Sequence, residues 1–209
     1  MSIVYRKLAR RDLKDISELI DNAWDFSKYI DNEKCKAHCI NAFMRGAIIN
    51  QNYTEVAEED GKILGLIFGK IPKLKGFWKN YSYIPSAIYH GIAAYSNKQN
   101  RPMVKSFVSL QETYGVLLKE SGIDFDGELE FFIVHSSAQG KGIGKTLWTN
   151  YKNYCKQNGV KKIYVFTDEN CNFGFYDYNK FERIGSKPVT FNCSNPVTFN
   201  VFLYKRDID

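Results

Sequence analysis

The stretch ELEFFIVHSSAQGKGIGKTL, residues 128–147, constrains the fold more than any other part of the chain. Its first half is dense in β-formers, and its second half opens a helix on which Leu147, Trp148, Tyr151 and Cys155 share one face. Between them lie Gly140, Gly142 and Gly144, alternating with other residues. A strand that passes through a glycine-rich turn into a helix offers free backbone N–H groups and the positive end of the helix to whatever lies above the turn, which suits a phosphate.

Two common phosphate loops fail on spacing. A nucleoside-triphosphate loop needs Gly, four residues, then Gly-Lys-Ser/Thr. Counting back from Gly144-Lys145-Thr146 puts its first glycine at Gln139, and the spacing from Gly140 is one residue short. The dinucleotide fingerprint Gly-x-Gly-x-x-Gly fails too, because the glycines here follow Gly-x-Gly-x-Gly. The pattern that fits is Gln/Arg-x-x-Gly-x-Gly, carried by Gln139, Gly142 and Gly144, with Lys141 and Lys145 adding positive charge.

The flanks supply an alternating framework. Ser2 to Lys7 reads as a short strand, and Leu13, Ile16, Leu19, Ile20, Ala23 and Trp24 recur at helical spacing. A second helix is expected from about Asn32 to Ile49, with Cys35, Cys39, Phe43 and Ala47 at four-residue steps. Thr54 to Ile71 contains Asp60-Gly61 between two strand-like runs, the mark of a tight hairpin, and the apolar second run predicts a central strand. After the loop, Gly144 to Asn158 predicts a helix stopped at Asn158-Gly159, Lys162 to Thr167 a strand, and Asn172 to Asn179 a short helix. Val197, Phe199, Val201 and Leu203 alternate as in an antiparallel strand, and PVTFN occurs twice, at 188–192 and 196–200, which predicts two similar strands. The aromatic, basic segment 72–126 is too long for a plain loop and is expected to be a helical insertion.

The stretch from Glu128 to Leu147 resembles the acyl-CoA-binding motif of the GNAT superfamily of N-acetyltransferases, and the flanking strands and helices are similar to that family's core over about 150 of the 209 residues. The resemblance implies a mixed α/β fold within a single domain spanning residues 1–209. It also implies a twisted, mostly antiparallel sheet splayed between strands four and five, with helices on both faces; 72–126 stands outside the common core. The implied cosubstrate is acetyl-CoA. Cofactor contacts then fall on the glycine loop, Gln139, Gly140, Lys141, Gly142, Ile143, Gly144 and Lys145. The main chain of Phe132, Ile133 and Val134, where the family's strand opens at a bulge, is implied to pair with the pantetheine arm. Asn170 and Asn172 precede a tyrosine as a family asparagine does, although the commonest family spacing falls on Glu169; Asn172 could equally cap the helix.

Moving an acetyl group from a thioester to a primary amine requires a neutral amine, a polarised carbonyl and a proton for the leaving thiolate. The resemblance places the acid at Tyr176 and a base at Glu128; Glu128 and Glu130, by simple alternation, share a strand face with Phe132 and Val134. Tyr178 lies about 200° round a helix from Tyr176 and cannot face the same point. Cys171 has no histidine near it in sequence to make it a nucleophile, and the trio Cys35, His38 and Cys39 lacks a fourth ligand, so no metal is expected. His135 reads as structural or as a polar neighbour of the cofactor. The implied reaction is direct attack in a ternary complex on an acceptor that is a small-molecule or peptide amine; the alternative is a catalytically silent acyl-CoA-binding or regulatory module. The aromatic residues Phe77, Trp78, Tyr81, Tyr83, Tyr89, His90 and Tyr95 are expected to line the acceptor side, pack the core or form a homodimer interface.

Composition narrows the partners further. The formal charge of +6 is spread without a polybasic block, so nucleic acid is not expected. No run of about 18 apolar residues suits a bilayer and the first residues lack the apolar stretch of a signal peptide, so a cytoplasmic location without membrane attachment is expected. Five cysteines without a framework spacing suit reduced thiols.

Overall fold

A computed structural model describes residues 2–74, 77–98, 101–193 and 195–208. The side chains of Phe77 and Trp78 lie outside the described residues. The predicted hairpin joins β2 (Tyr53–Glu59) to β3 (Lys62–Lys70) through Asp60 and Gly61, at φ 52° and 78°. Two consecutive left-handed residues give the turn whose twist matches antiparallel strands, and Asp-Gly is among the sequences that reach it at least cost. From this hairpin the sheet grows in both directions, with β1 (Val4–Arg6) pairing outside β2 and β4 (Gly127–Val134) inside β3.

The other half of the sheet contains β5 (Lys162–Asp168), β6 (Glu182–Phe191) and β7 (Val197–Asp207), giving the order β1-β2-β3-β4-β5-β7-β6. Each neighbouring pair is antiparallel except β4 with β5. The two PVTFN copies pair with each other, Pro188 opposite Asn200 and Val189 opposite Phe199. The Thr190 and Thr198 hydroxyls meet at 2.8 Å across this ladder, so the repeat is a hairpin and not a repeated domain.

Helices cover both faces, because both faces of the central strands are apolar. On one side, α1 (Leu13–Trp24), α2 (Glu33–Asn50) and α4 (Arg101–Ser121) put Ile16, Ile20, Met44, Ile48 and Leu117 against Leu66, Phe68, Phe131 and Leu203. Helix α2 begins where Asn32 caps it, its Oδ1 accepting from the Cys35 N–H at 2.9 Å. On the other side, α5 (Ile143–Gln157) and the single turn α6 (Gly174–Tyr178) put Leu147, Tyr151, Cys155 and Tyr176 against Ile67, Leu129, Ile163 and Tyr204. Each fully buried Leu, Ile or Phe contributes about 1.5–3 kcal/mol of transfer free energy. The insertion is helical as expected: a 3-10 stretch Phe77–Tyr83 and α3 (Ile84–Ser96) pack chiefly on α2, and α4 follows. Among the described residues, no helix is long and apolar enough to cross a membrane.

Two features of β4 shape the site. It pairs with β5 only at Gly127, Glu128 and Leu129, opposite Ile163, Tyr164 and Val165; beyond that point the two strands separate. Against β3 its register slips between Phe68 and Gly69, opposite Phe131 and Leu129, leaving Glu130 as the extra residue of a bulge. The bulge corrects the simple alternation expected from the sequence. Leu129 packs with the α5 side, whereas Phe131 and Ile133 pack with α1 and α2, so the faces exchange at Glu130. Phe132 and Val134 therefore face α5. Glu128, lying between Gly127 and Leu129, faces the opposite side, and Glu130 bonds Gln51 at the end of α2.

Candidate active site

Where β4 and β5 part, a cleft of about 650 Å³ opens between β4, the glycine loop, α1 and the segment before α6. Its wall gathers Phe132, Ile133, Val134, Gln139, Gly140, Gly142, Ile143, Gly144, Lys145, Asn170 and Asn172 from two distant parts of the sequence. Leu19, Asn22, Ala23 and Trp24 of α1 close one side, a contribution that no motif in the first helix signals.

The loop is built for close backbone approach. A 3-10 turn at Ser136–Ala138 leads from β4, and Gly140 and Gly142 take φ 82° and 77°, which glycine adopts without strain. Gly142 is the N-cap of α5 and no side chain caps the helix, so its first N–H groups keep their donors for a ligand. A Cβ on Gly144 would stand 3.4 Å from the Phe132 ring and 3.6 Å from Val134, so glycine keeps the loop close to β4. Of the two lysines, Lys145 reaches the cleft wall. Lys141 instead holds the Glu59 carboxylate at 2.7 Å, a contact across 82 residues that only the folded chain reveals. His135 accepts the Ser137 N–H at 3.2 Å and meets the Ser137 hydroxyl at 2.7 Å, an ordering role at the cleft edge.

On the opposite wall, Asp168 ends β5 and ties the next turn, accepting from the Asn170 N–H at 2.8 Å and the Cys171 Sγ at 3.4 Å. Burial, and then the Asp168 charge, push the Cys171 thiol up to about 12, so at neutral pH it stays a thiol and a poor nucleophile. Helix α6 starts at Gly174 with Phe173 as N-cap and no side-chain cap bond, so Asn172 is not a capping residue; it faces the cleft. Phe175 lines the cleft and meets Phe132 edge-on at 4.6 Å, bridging the gap between the splayed strands.

Tyr176 is buried directly behind that wall. Its ring packs on Phe181, Tyr204 and Phe175, at 5.3, 5.7 and 5.8 Å, and its hydroxyl makes no hydrogen bond among the described residues. Burial raises its pKa, and Cys171, Tyr204 and Asp168 reinforce the shift, so the phenol remains a proton donor at neutral pH. Tyr178, by contrast, is 88% exposed and points away. Helix α6 is too short to hold itself. Arg183 fixes it from the side: the guanidinium lies 3.9 Å over the Phe202 ring and donates to the Tyr204 hydroxyl at 2.6 Å, and that hydroxyl donates to Asp177 at 3.0 Å.

Glu128 and Glu130 lie at the base of the splay on the α2 and α4 side. Burial first, and the neighbouring Glu128 next, push the Glu130 carboxyl up to about 8, while Gln51, donating at 3.1 Å, and Lys70 oppose the shift. Tyr164 of β5 and Tyr114 of α4 flank this pair; the Tyr114 ring stacks on Phe166 at 3.9 Å. The sequence motif pointed to Glu128 alone, and only the bulge singles out Glu130. The trio from α2 separates: Cys35 and Cys39 are buried in the core, while His38 bonds His90 of α3 at 2.9 Å. All five cysteines are free thiols.

Among curated proteins no sequence matches this chain. Solved structures do match its fold across nearly the whole length. PaiA N-acetyltransferase from Thermoplasma acidophilum in complex with coenzyme A is 17% identical with a TM-score of 0.52, covering 99% of both chains. YncA, a putative acetyltransferase from Salmonella typhimurium with its cofactor acetyl-CoA, is 13% identical with a TM-score of 0.54, covering 100% of this chain and 95% of that one. A mosquito arylalkylamine N-acetyltransferase-like protein, 5b, is 16% identical with a TM-score of 0.56, covering 99% and 100%. Residues 14–177, most of the chain and all of the cleft, match the model of the Acetyltransferase (GNAT) family, and the chain belongs to that family.

Proposed function

We propose that this chain is an acetyl-CoA-dependent N-acetyltransferase acting on a primary amine by direct attack in a ternary complex. The observation that carries the reading is the continuity of the cleft: the edge of β4 left unpaired by β5 runs straight into the uncapped amides of α5. An extended arm can add to the first as another strand does, and a pyrophosphate suits the second. At about 650 Å³ the cleft is of ordinary ligand-site size. Acetyl-CoA supplies the activated thioester. On this reading Gln139, Gly140, Gly142, Ile143, Gly144 and Lys145 hold the pyrophosphate, with Lys141 joining if it leaves Glu59; the main chain of Phe132, Ile133 and Val134 aligns the arm, and Asn170 and Asn172 bound the opposite wall.

In the transfer the acceptor nitrogen bonds to the acetyl carbon as the carbon–sulfur bond breaks. The nitrogen gives up a proton and the sulfur gains one. Tyr176 is the proposed donor: it is a neutral phenol adjoining Cys171 and Phe175 on the cleft wall. Glu128 is the proposed acceptor of the amine proton, with Glu130 beside it as a group whose affinity for protons suits transfer near neutral pH. The chain is read as one domain of residues 1–209, with α3 and α4 standing over the acceptor side.

A silent acyl-CoA-binding module is the second reading, favoured by the position of Tyr176 behind the cleft wall. Thiol release from acetyl-CoA, measured across polyamines, aminoglycosides, amino acids and peptides, decides between them. The enzyme turns over at least one amine and loses roughly 100-fold or more on Tyr176→Phe. Tight coenzyme A binding without turnover of any amine in the panel establishes the silent module.

A further inference from the structure

On the outer face of α2, away from the cleft, a half-buried positive charge meets no acid among the described residues. His38, Asn41 and Arg45 lie on one face of α2 at helical spacing, and α3 lays His90 and Tyr89 across them. The Arg45 guanidinium donates from Nη1 to the Asn41 side chain and, at 3.4 Å, to the Asn41 carbonyl. Its Nε is buried with no hydrogen-bond partner, and no carboxylate lies within ion-pair distance among the described residues. Arg10 stands nearby, 5.5 Å over the ring of Tyr83, and it too has no acidic partner among the described residues.

A buried, unpartnered donor on a charged group is costly and calls for an explanation such as an ion. Burial lowers the affinity of Arg45 for its proton, opposed by Tyr83. Burial likewise lowers that of His90, with Arg45 and then His38 adding repulsion. The Nδ1 atoms of His38 and His90 are 2.9 Å apart, so one must donate and the other accept; both cannot be protonated while this bond lasts. Among the described residues, the ionisable groups facing the pair are Arg45 from α2 and Tyr89 from α3, and no carboxylate is among them.

We propose that Arg45, His38 and His90 form a binding site for a small oxyanion, a carboxylate or phosphate group, between α2 and α3. The anion accepts from the orphaned Arg45 Nε. It also stabilises a protonated His90, which gives up the bond to His38 and donates to the anion. Binding therefore takes up one proton and tightens as pH falls through the titration of His90.

The chain contains only three histidines, so their NMR signals can be followed individually in the unaltered protein. Inorganic phosphate and acetate are titrated separately at constant ionic strength, with chloride as the balancing anion. The proposal expects saturable shifts of the His38 and His90 signals, a His90 pKa raised by about one unit or more, and loss of both effects in Arg45→Met. A response to acetate without phosphate assigns the site to carboxylates, and the reverse assigns it to phosphates. His135, at the edge of the cleft, reports an anion taken up by the glycine loop instead. Signals of His38 and His90 that stay put under both anions, or that move equally in Arg45→Met, overturn the proposal; Arg45→Gln, which likewise removes the charge, serves if the methionine variant does not fold.

Discussion

Gly69→Ala probes the bulge that opens β4. Gly69 faces Leu129 where the register slips, and a Cβ there would collide with the ring and hydroxyl of Tyr151. Tyr151 is fully buried and cannot swing outward, and its hydroxyl donates to the Glu128 carbonyl at 2.6 Å, tying α5 to the start of the splay. Backbone strain plays no part, because Gly69 is not left-handed. Overpacking costs about 1–3 kcal/mol and the lost hydrogen bond about 1 kcal/mol more. The sum, about 2–4 kcal/mol, lowers a urea midpoint by roughly 1 M or more. Urea denaturation of Gly69→Ala, Tyr151→Leu and the double variant completes the test. Tyr151→Leu removes the obstructing ring, so in that background Gly69→Ala is expected to cost well under 1 kcal/mol, a coupling of at least about 1 kcal/mol. A single-variant cost below about 0.5 kcal/mol, or strict additivity, refutes the assignment of Gly69 as the space for Tyr151.

Gly142→Ala meets no neighbouring atom, so its cost is the left-handed backbone alone, about 1–2 kcal/mol by thermal denaturation. The Glu130 carboxyl is raised from 4.5 to about 8 in the fold, so between those values the folded state holds the extra proton and stability falls as pH rises. Glu130→Gln removes that fall, and its Tm advantage over the parent should be small at pH 5 and widest near pH 9; an advantage that shrinks with pH contradicts the assignment. Tyr204→Phe keeps the ring but severs Arg183 from Asp177, and should cost about 1 kcal/mol, with Arg183 largely exposed, while loosening the amides of α6 in hydrogen exchange.

Local chemistry made much of the fold legible. Asp60-Gly61 specified its hairpin, Asn158-Gly159 ended α5, and the alternating residues of β7 form the expected antiparallel strand. The glycine loop gave the cleft its position because the required backbone freedom is written in residue type. What stayed hidden depends on registers and distant partners. Period-2 alternation cannot report a bulge, so it places Glu128 and Glu130 on the face of Phe132 and Val134, although β4 exchanges faces between them. Lys141 carries no sign that Glu59 will hold it, nor His38 that a helix 52 residues on will bring His90 to its side. The family resemblance singles out Tyr176 by its place after β5, but its burial follows from Phe181 and Tyr204, which join it only in the fold.

The most direct test of the central claim is a structure determined with acetyl-CoA bound. The pyrophosphate is expected on the amides between Gln139 and Lys145, the arm along Phe132 to Val134 in the gap left by β5, and the sulfur beside Tyr176 after a small displacement of Phe175. Acetyl-CoA bound away from this cleft, or lying in it with the thioester remote from both Tyr176 and the Glu128–Glu130 pair, contradicts the account.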